Sequence, residues 1–307
     1  MRNSLFLFMI CLGMHMQHAH AQDSLRAGLV DINGTQLYIK TIGQGDTILV
    51  IHGGPGLNHA YLLPHFAALA ETHTIIFYDQ RSSGKSQLCV KAQMNFSTFA
   101  DDIEAIRKHF GIKKLNIMAH SWGALLAAHY ILNYPEQVNS LVLISPVPFN
   151  KTLAEKSNIE AQRRSTPADS ARKAEILQSS SFRAGDVEPI EELMLLSFKI
   201  LFCDTTQLSK LDPALPPTYM VASMSMYGFV QEMANYDMFP RMKDIPIPTL
   251  IIRGACDISP EEADIQLQQR FTDATLVIMK DAGHFPFVEE NKKWTKEVNT
   301  FYKGLTK

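Results

Sequence analysis

The chain has 307 residues, 46% of them hydrophobic and 20% charged, which suits a folded protein with one large core or a core plus an insertion. Its 29 Lys and Arg against 31 Asp and Glu leave a net charge of -2 with no run of like charge. That balance lacks the electrostatic footprint of a nucleic-acid binder and points to a small or weakly charged ligand.

Residues 1–21 read as a cleaved secretory signal. Arg2 gives a positive start, Ser4 to Met14 is apolar but too short to span a bilayer, and Ala19-His20-Ala21 is a small-x-small site before Gln22. A mature chain from Gln22 implies a secreted or periplasmic protein with no integral membrane span after cleavage. His15, His18 and His20 fall in the discarded segment. The remaining histidines and cysteines show no ligand spacing, so no metal or cofactor is implied.

Asn33-Gly34 sits between two alternating runs from Leu29 to Ile42, the pattern of a tight antiparallel hairpin. Short, nearly continuous apolar runs follow at Thr47–Ile51, Thr74–Tyr78, Leu115–Met118, Leu141–Ile144, Thr249–Ile252 and Thr275–Met279, as expected of strands buried on both faces of a parallel sheet. Helical patterns alternate with them at Phe96–Phe110, Trp122–Tyr134, Pro260–Phe271 and Asn291–Leu305, the last with Trp294, Val298, Phe301 and Leu305 on one side. This alternation predicts an α/β fold, a mostly parallel sheet flanked by helices. Residues 147–241 break the rhythm, being long, charged and helical, and are predicted to be a helical cap inserted after the sixth strand. The core is then split into 22–146 and 242–307. Of the three cysteines left after cleavage, Cys89 and Cys203 are the expected pair if one forms, with Cys256 buried and inert in an apolar strand end.

Ala119-His120-Ser121-Trp122-Gly123 follows a strand-like run and opens a helix, the setting of a nucleophile elbow, in which a sharp strand-to-helix turn exposes the serine. Alone the motif says little, because small residues two places either side of a serine recur by chance about once in every two chains of this length. A helix-capping serine would read the same way. Context adds the specificity. The following helix brings its free N–H groups to Ser121, so Trp122 is one candidate oxyanion donor, and the His52-Gly53-Gly54-Pro55-Gly56 loop after the first core strand is the candidate source of the second. A serine hydroxyl needs a base, and the base an orienting carboxylate. Asp257 and His284 each follow a predicted strand, placing both at strand C-terminal ends, where ligands bind in open α/β sheets. Asp281 is an alternative acid, in the histidine's own loop.

The His52–Gly56 loop, the Tyr78-Asp79-Gln80-Arg81-Ser82-Ser83-Gly84-Lys85-Ser86 segment, the Ser121 elbow and the Asp257 and Gly283-His284 loops together resemble proline iminopeptidases, a branch of the α/β-hydrolase fold. The resemblance implies a catalytic triad of Ser121, His284 and Asp257, with Gly54 and Trp122 as the oxyanion hole. It spans about 29–146 and 246–307. Ala119 and Ser82 stand where that branch usually carries glycine, and the cap is not recognisable. In that branch acidic cap residues hold the substrate's free amino group; Glu188, Glu191, Glu192 and Glu232 are the candidates here, though such a run also reads as a solvated helix face. Phe198, Phe202, Tyr219, Met224, Met226, Tyr227 and Phe229 make part of the cap apolar. The resemblance thus implies an aminopeptidase acting on small peptides. A carboxylesterase acting on a small ester substrate is the alternative, and a non-catalytic ligand-binding relative a third reading. The oligomeric state has no sequence signature.

Overall fold

The computed structural model of the chain describes residues 27–90 and 93–305, so residues 1–21, read from sequence as a signal, lie outside the described residues. Eight strands form one sheet in the order β1-β2-β4-β3-β5-β6-β7-β8: β1 Ala27–Ile32, β2 Thr35–Gly43, β3 Asp46–Ile51, β4 His73–Tyr78, β5 Leu115–His120, β6 Val138–Ile144, β7 Thr249–Gly254 and β8 Ala274–Met279. β1 and β2 form the expected hairpin. Asn33 and Gly34 take φ of 47° and 73°, the left-handed pair that a two-residue turn between twisted strands requires. β2 pairs antiparallel with β4, and every pairing from β4 onward is parallel.

The central strands read as apolar runs because both faces are covered; Ile48 to Ile51 and Leu141 to Ile144 are buried throughout. β8 departs from that reading. It is the last strand of the sheet, and Ile278 lies 40% exposed.

The helices in chain order are α1 Leu63–Phe66, α2 Phe96–His109, α3 Gly123–Asn133, α4 Lys151–Arg164, α5 Pro167–Gln178, α6 Ser180–Ala184, α7 Val187–Phe198, α8 Tyr219–Ser225, α9 Val230–Met233, α10 Glu261–Gln268, α11 Pro286–Glu289 and α12 Asn291–Leu305. Starts are set by local chemistry. Asn95 and Asn150 accept the N–H of Thr98 and Leu153, both at 2.9 Å, and Thr166 caps α5 ahead of Pro167. None of the described helices is long and apolar enough to cross a membrane. Helices α4 to α9 all lie between β6 and β7.

α12 buries Trp294, Val298 and Tyr302, spaced four residues apart, while Phe301 and Leu305 pack at the margin. Trp294 sits with its ring centre 4.7 Å from that of Phe66 and also meets Phe287, beneath the loop that carries His284. Trp294→Ala should therefore lower the unfolding free energy by about 3–5 kcal/mol, read as a lower urea midpoint with an unchanged slope.

Candidate active site

β5 delivers Ser121 into a turn with φ 55°, and α3 begins two residues later. The turn is held from both sides. The Ser121 N–H donates to the Ile144 carbonyl at 2.9 Å, and a Cβ on Gly123 would stand 2.5 Å from the Ile51 carbonyl oxygen, so α3 approaches β3 as only glycine allows. Ala119, where glycine is usual, is fully buried within β5 in register with Ile51 and Leu143, and its methyl group is accommodated there.

Ser121 Oγ lies 2.8 Å from His284 Nε2, and His284 Nδ1 lies 2.8 Å from Asp257 Oδ2. All three side chains are buried. Burial disfavours charge on Asp257, but the charge and hydrogen bond of His284, with the Ser259 N–H at 3.0 Å, hold its carboxyl below the ordinary value. An ionised carboxylate only accepts, so the His284 proton sits on Nδ1. The bare Nε2 then accepts the Ser121 hydroxyl. Asp257 makes the turn to Ser259 with one oxygen and meets His284 with the other, so it fills both of the roles its sequence context allows. Asp281 is exposed and does not reach the ring; its N–H donates to Glu290 at 3.1 Å.

The N–H groups of Gly54 and Trp122 make no hydrogen bond among the described residues. Gly54 has φ 139°, and a Cβ there would stand 2.7 Å from the Gly56 nitrogen. Behind this loop, Asp79 accepts the His59 N–H at 2.9 Å, the His59 ring at 2.7 Å and the Lys85 N–H at 2.9 Å. Gly84 is required there because a Cβ would stand 2.2 Å from the Asp79 carboxylate. Ser82 holds φ 54°, the left-handed conformation that explains the usual glycine. Arg81 is a structural group: it is buried and meets both oxygens of Asp102, at 2.7 and 2.5 Å.

A cavity of about 700 Å³ lies between these loops and the α4–α9 segment, with Gly54, Trp122, Asp257 and His284 on its wall. Val147, Pro148, Met226, Phe229, Met233 and Tyr236 make the opposite wall largely apolar. None of the four glutamates expected from sequence lines it. The Glu191 carboxylate accepts the Leu215 N–H at 2.9 Å, Glu192 pairs with Arg172 at 2.7 Å, Glu232 accepts the Phe96 N–H at 3.0 Å, and Glu188 lies in the first turn of α7 beside Arg172 in a separate surface pocket. Apart from Asp257 and His284, the acidic and basic groups that line the cavity are Glu155 and Lys151, on α4 and 3.9 Å apart. No sequence pattern marks them, since α4 is polar on most faces.

The expected cysteine pairing is corrected by the fold. Cys203 bonds Cys256, with Cα atoms 5.2 Å apart, and Cys89 is the free, half-buried thiol. Cys89 sits near Thr35 and Ser82, beside the β1–β2 hairpin, whereas the Leu201–Asp204 stretch is laid across the acid and histidine loops. There the Leu201 carbonyl accepts the His284 N–H at 2.8 Å. The Glu289 carboxylate accepts the N–H groups of Cys203, Asp204 and Gly283 at 2.8, 3.0 and 2.6 Å. Arg164 donates to the carbonyls of Cys256 and Ile200 at 2.5 and 3.3 Å.

This geometry is that of a hydrolase: the chain belongs to the alpha/beta hydrolase fold family, matched over residues 46–291. Within it, the chain is similar to proline iminopeptidase of Clostridium botulinum, 25% identical over 268 residues that cover 84% of this chain and 89% of that one. The fold is likewise that of proline iminopeptidase from Mycobacterium smegmatis, at a TM-score of 0.67 and 18% identity over 91% of this chain and 98% of the other. An esterase from Exiguobacterium antarcticum superposes equally well, at a TM-score of 0.66 and 19% identity over 90% of this chain and 98% of the esterase.

The Cys203–Cys256 bond closes a long loop of chain across the two site loops. Cys203→Ser should cost about 2–4 kcal/mol of stability, measured by denaturant unfolding without reductant, and adding dithiothreitol should bring wild type to the same midpoint.

Proposed function

We propose that the chain is a serine hydrolase working through an acyl-enzyme. The observation that carries the reading is the unbroken hydrogen-bonded line from Ser121 through His284 to Asp257, opening on one cavity. Ser121 Oγ attacks an acyl carbonyl while His284 Nε2 takes its proton. Asp257 keeps the second proton on Nδ1 and stabilises the imidazolium. The carbonyl oxygen gains negative charge and is met by the N–H groups of Gly54 and Trp122. His284 then protonates the leaving group, water attacks the ester of Ser121 with His284 again as base, and the serine is released.

The substrate class we infer is a small peptide with a free N-terminus, the chain acting as an aminopeptidase of proline iminopeptidase type. The likeness to such enzymes over most of the chain supports it, as does the Glu155 carboxylate on the cavity wall, of a charge suited to an ammonium group. The apolar wall around Met226 and Phe229 suits a proline ring. A second reading, a carboxylesterase for small esters, is favoured by the engagement of Glu191, Glu192 and Glu232 elsewhere, by Glu188 lining a separate surface pocket, and by Lys151 beside Glu155. Export by the signal segment belongs to the same proposal; a disulfide on the site suits an oxidising compartment.

A panel of aminoacyl arylamides and aryl esters tests these readings. Ser121→Ala should abolish fluorophosphonate labelling, and Asp257→Asn should lower kcat by about 10⁴-fold by favouring the wrong tautomer. A wild-type chain that takes no label would instead indicate a ligand-binding relative. Glu155→Gln should raise KM for aminoacyl substrates by about tenfold and leave ester hydrolysis unchanged. Hydrolysis of aryl esters with no cleavage of any aminoacyl arylamide would replace the aminopeptidase reading with the esterase one.

A further inference from the structure

The residue before the nucleophile, His120, turns its ring into the interior, where it is 2% exposed. Both ring nitrogens have partners there. Nε2 lies 3.0 Å from the carbonyl oxygen of His284, and Nδ1 lies 2.7 Å from the hydroxyl of Tyr61, itself 2.8 Å from the nitrogen of Gly53. Tyr61 is also 2% exposed.

Only one arrangement of protons satisfies this line. A carbonyl only accepts, so His120 carries its proton on Nε2 and donates it to His284. Burial, reinforced by the nearby charge of His284, pushes the ring's pKa down to about 3, so the ring is neutral and Nδ1 is bare. Nδ1 therefore accepts the Tyr61 O–H, and the Tyr61 oxygen accepts the Gly53 N–H. The line joins three segments far apart in sequence: the loop holding Gly53 and Gly54, the strand end before Ser121, and the loop holding His284. The fit is close, because a Cβ on Gly53 would stand 2.9 Å from the Tyr61 hydroxyl and 3.0 Å from His120 Nδ1.

We propose that Tyr61 and His120 are positioning residues for acyl transfer, setting the gap between the oxyanion donor at Gly54 and the imidazole of His284 through the hydrogen-bonded line Gly53–Tyr61–His120–His284. The proposal rests on the assignment of Ser121 and His284 made above. Attack needs the acyl carbon within reach of Ser121 while its oxygen meets Gly54 and the base stays on the hydroxyl, so a displacement of either loop acts on the transition state more than on the bound substrate. Removing one hydroxyl at Tyr61 leaves the Gly53 N–H and His120 Nδ1 both buried without partners, and the loops are free to shift apart.

Two substitutions cut the line at different points. Tyr61→Phe removes the junction and keeps the ring. His120→Leu keeps a similar bulk and removes both the donor to the His284 carbonyl and the acceptor for Tyr61. Each is to be assayed on an aryl ester, with active sites titrated by a fluorophosphonate so that unfolded protein is not counted. Tyr61→Phe should lower kcat by about 10- to 100-fold with KM within about twofold, and weaken a boronic acid, which mimics the tetrahedral state on Ser121, in parallel with kcat/KM. The double variant should lose no more than the worse single one, as expected of two residues acting through one line. Unchanged kcat per titrated site in Tyr61→Phe, or losses that simply multiply in the double variant, would overturn the proposal while leaving the role of Ser121 intact. If Tyr61→Phe does not fold, His120→Leu decides alone: the same fall in kcat at constant KM supports the line, and wild-type kcat per site overturns it. Absence of labelling in wild type would instead overturn the assignment of Ser121, and the proposal with it.

Discussion

Ser121 is a non-glycine residue held at φ 55°, and the rest of the site is arranged around keeping it there. An L-residue in that region costs on the order of 1–3 kcal/mol and persists only when its surroundings leave no alternative. β5 fixes the chain before the turn, the bond from Ser121 to Ile144 fixes it from β6, and Gly123 lets α3 press against the ends of β3. Because β3, β5, β6, β7 and β8 run parallel, their C-terminal ends lie on one edge of the sheet. The loops carrying Gly54, Ser121, Asp257 and His284 leave from that edge. A buried, strained serine is thereby fixed from several sides.

The segment between β6 and β7 takes part in this rigidity. Its Leu201–Asp204 stretch is joined to the acid loop by Cys256 and to the histidine loop through His284 and Glu289. Gly283 has no room for a side chain there, since a Cβ would stand 2.0 Å from the Leu201 carbonyl oxygen. This edge of the segment is pinned to the machinery, while its other side, at Met226 and Phe229, forms the apolar wall opposite. One helical insertion thus holds the His284 loop from one side and walls the cavity from the other.

Much of this was legible in the residues. Apolar runs marked the buried strands, since a strand covered on both faces has no polar alternation to hide it. Asn33-Gly34 marked the hairpin. The five residues around Ser121 said little alone, and their meaning came from the order of the loops that followed. Misreadings have physical causes. Cys89 was matched with Cys203 because pairing depends on distance in space, and nothing in the spacing shows that the Leu201–Asp204 stretch crosses the loop of Cys256. The acidic run at Glu188–Glu192 drew attention by composition, yet a helix displays its charges on several faces, and the face that meets the cavity belongs to α4. His120 has no sequence signal of its own, because a histidine beside Ser121 belongs to no pattern.

The sequence by itself determined what depends on neighbouring residues: the strand runs, the sharp turn at Ser121, the capped helices, and the chain order of serine, acid and histidine. Tertiary structure decided what depends on distance between segments remote in the chain. That includes the 2.8 Å contacts that join Ser121, His284 and Asp257, the partner of Cys203, the charges that face the cavity, and the line from Gly53 through Tyr61 and His120 to His284. Backbone conformation is governed by local sterics and hydrogen bonding, which a short window of residues contains. Which side chains meet is governed by the packing of the whole sheet and its insertion, which no short window contains.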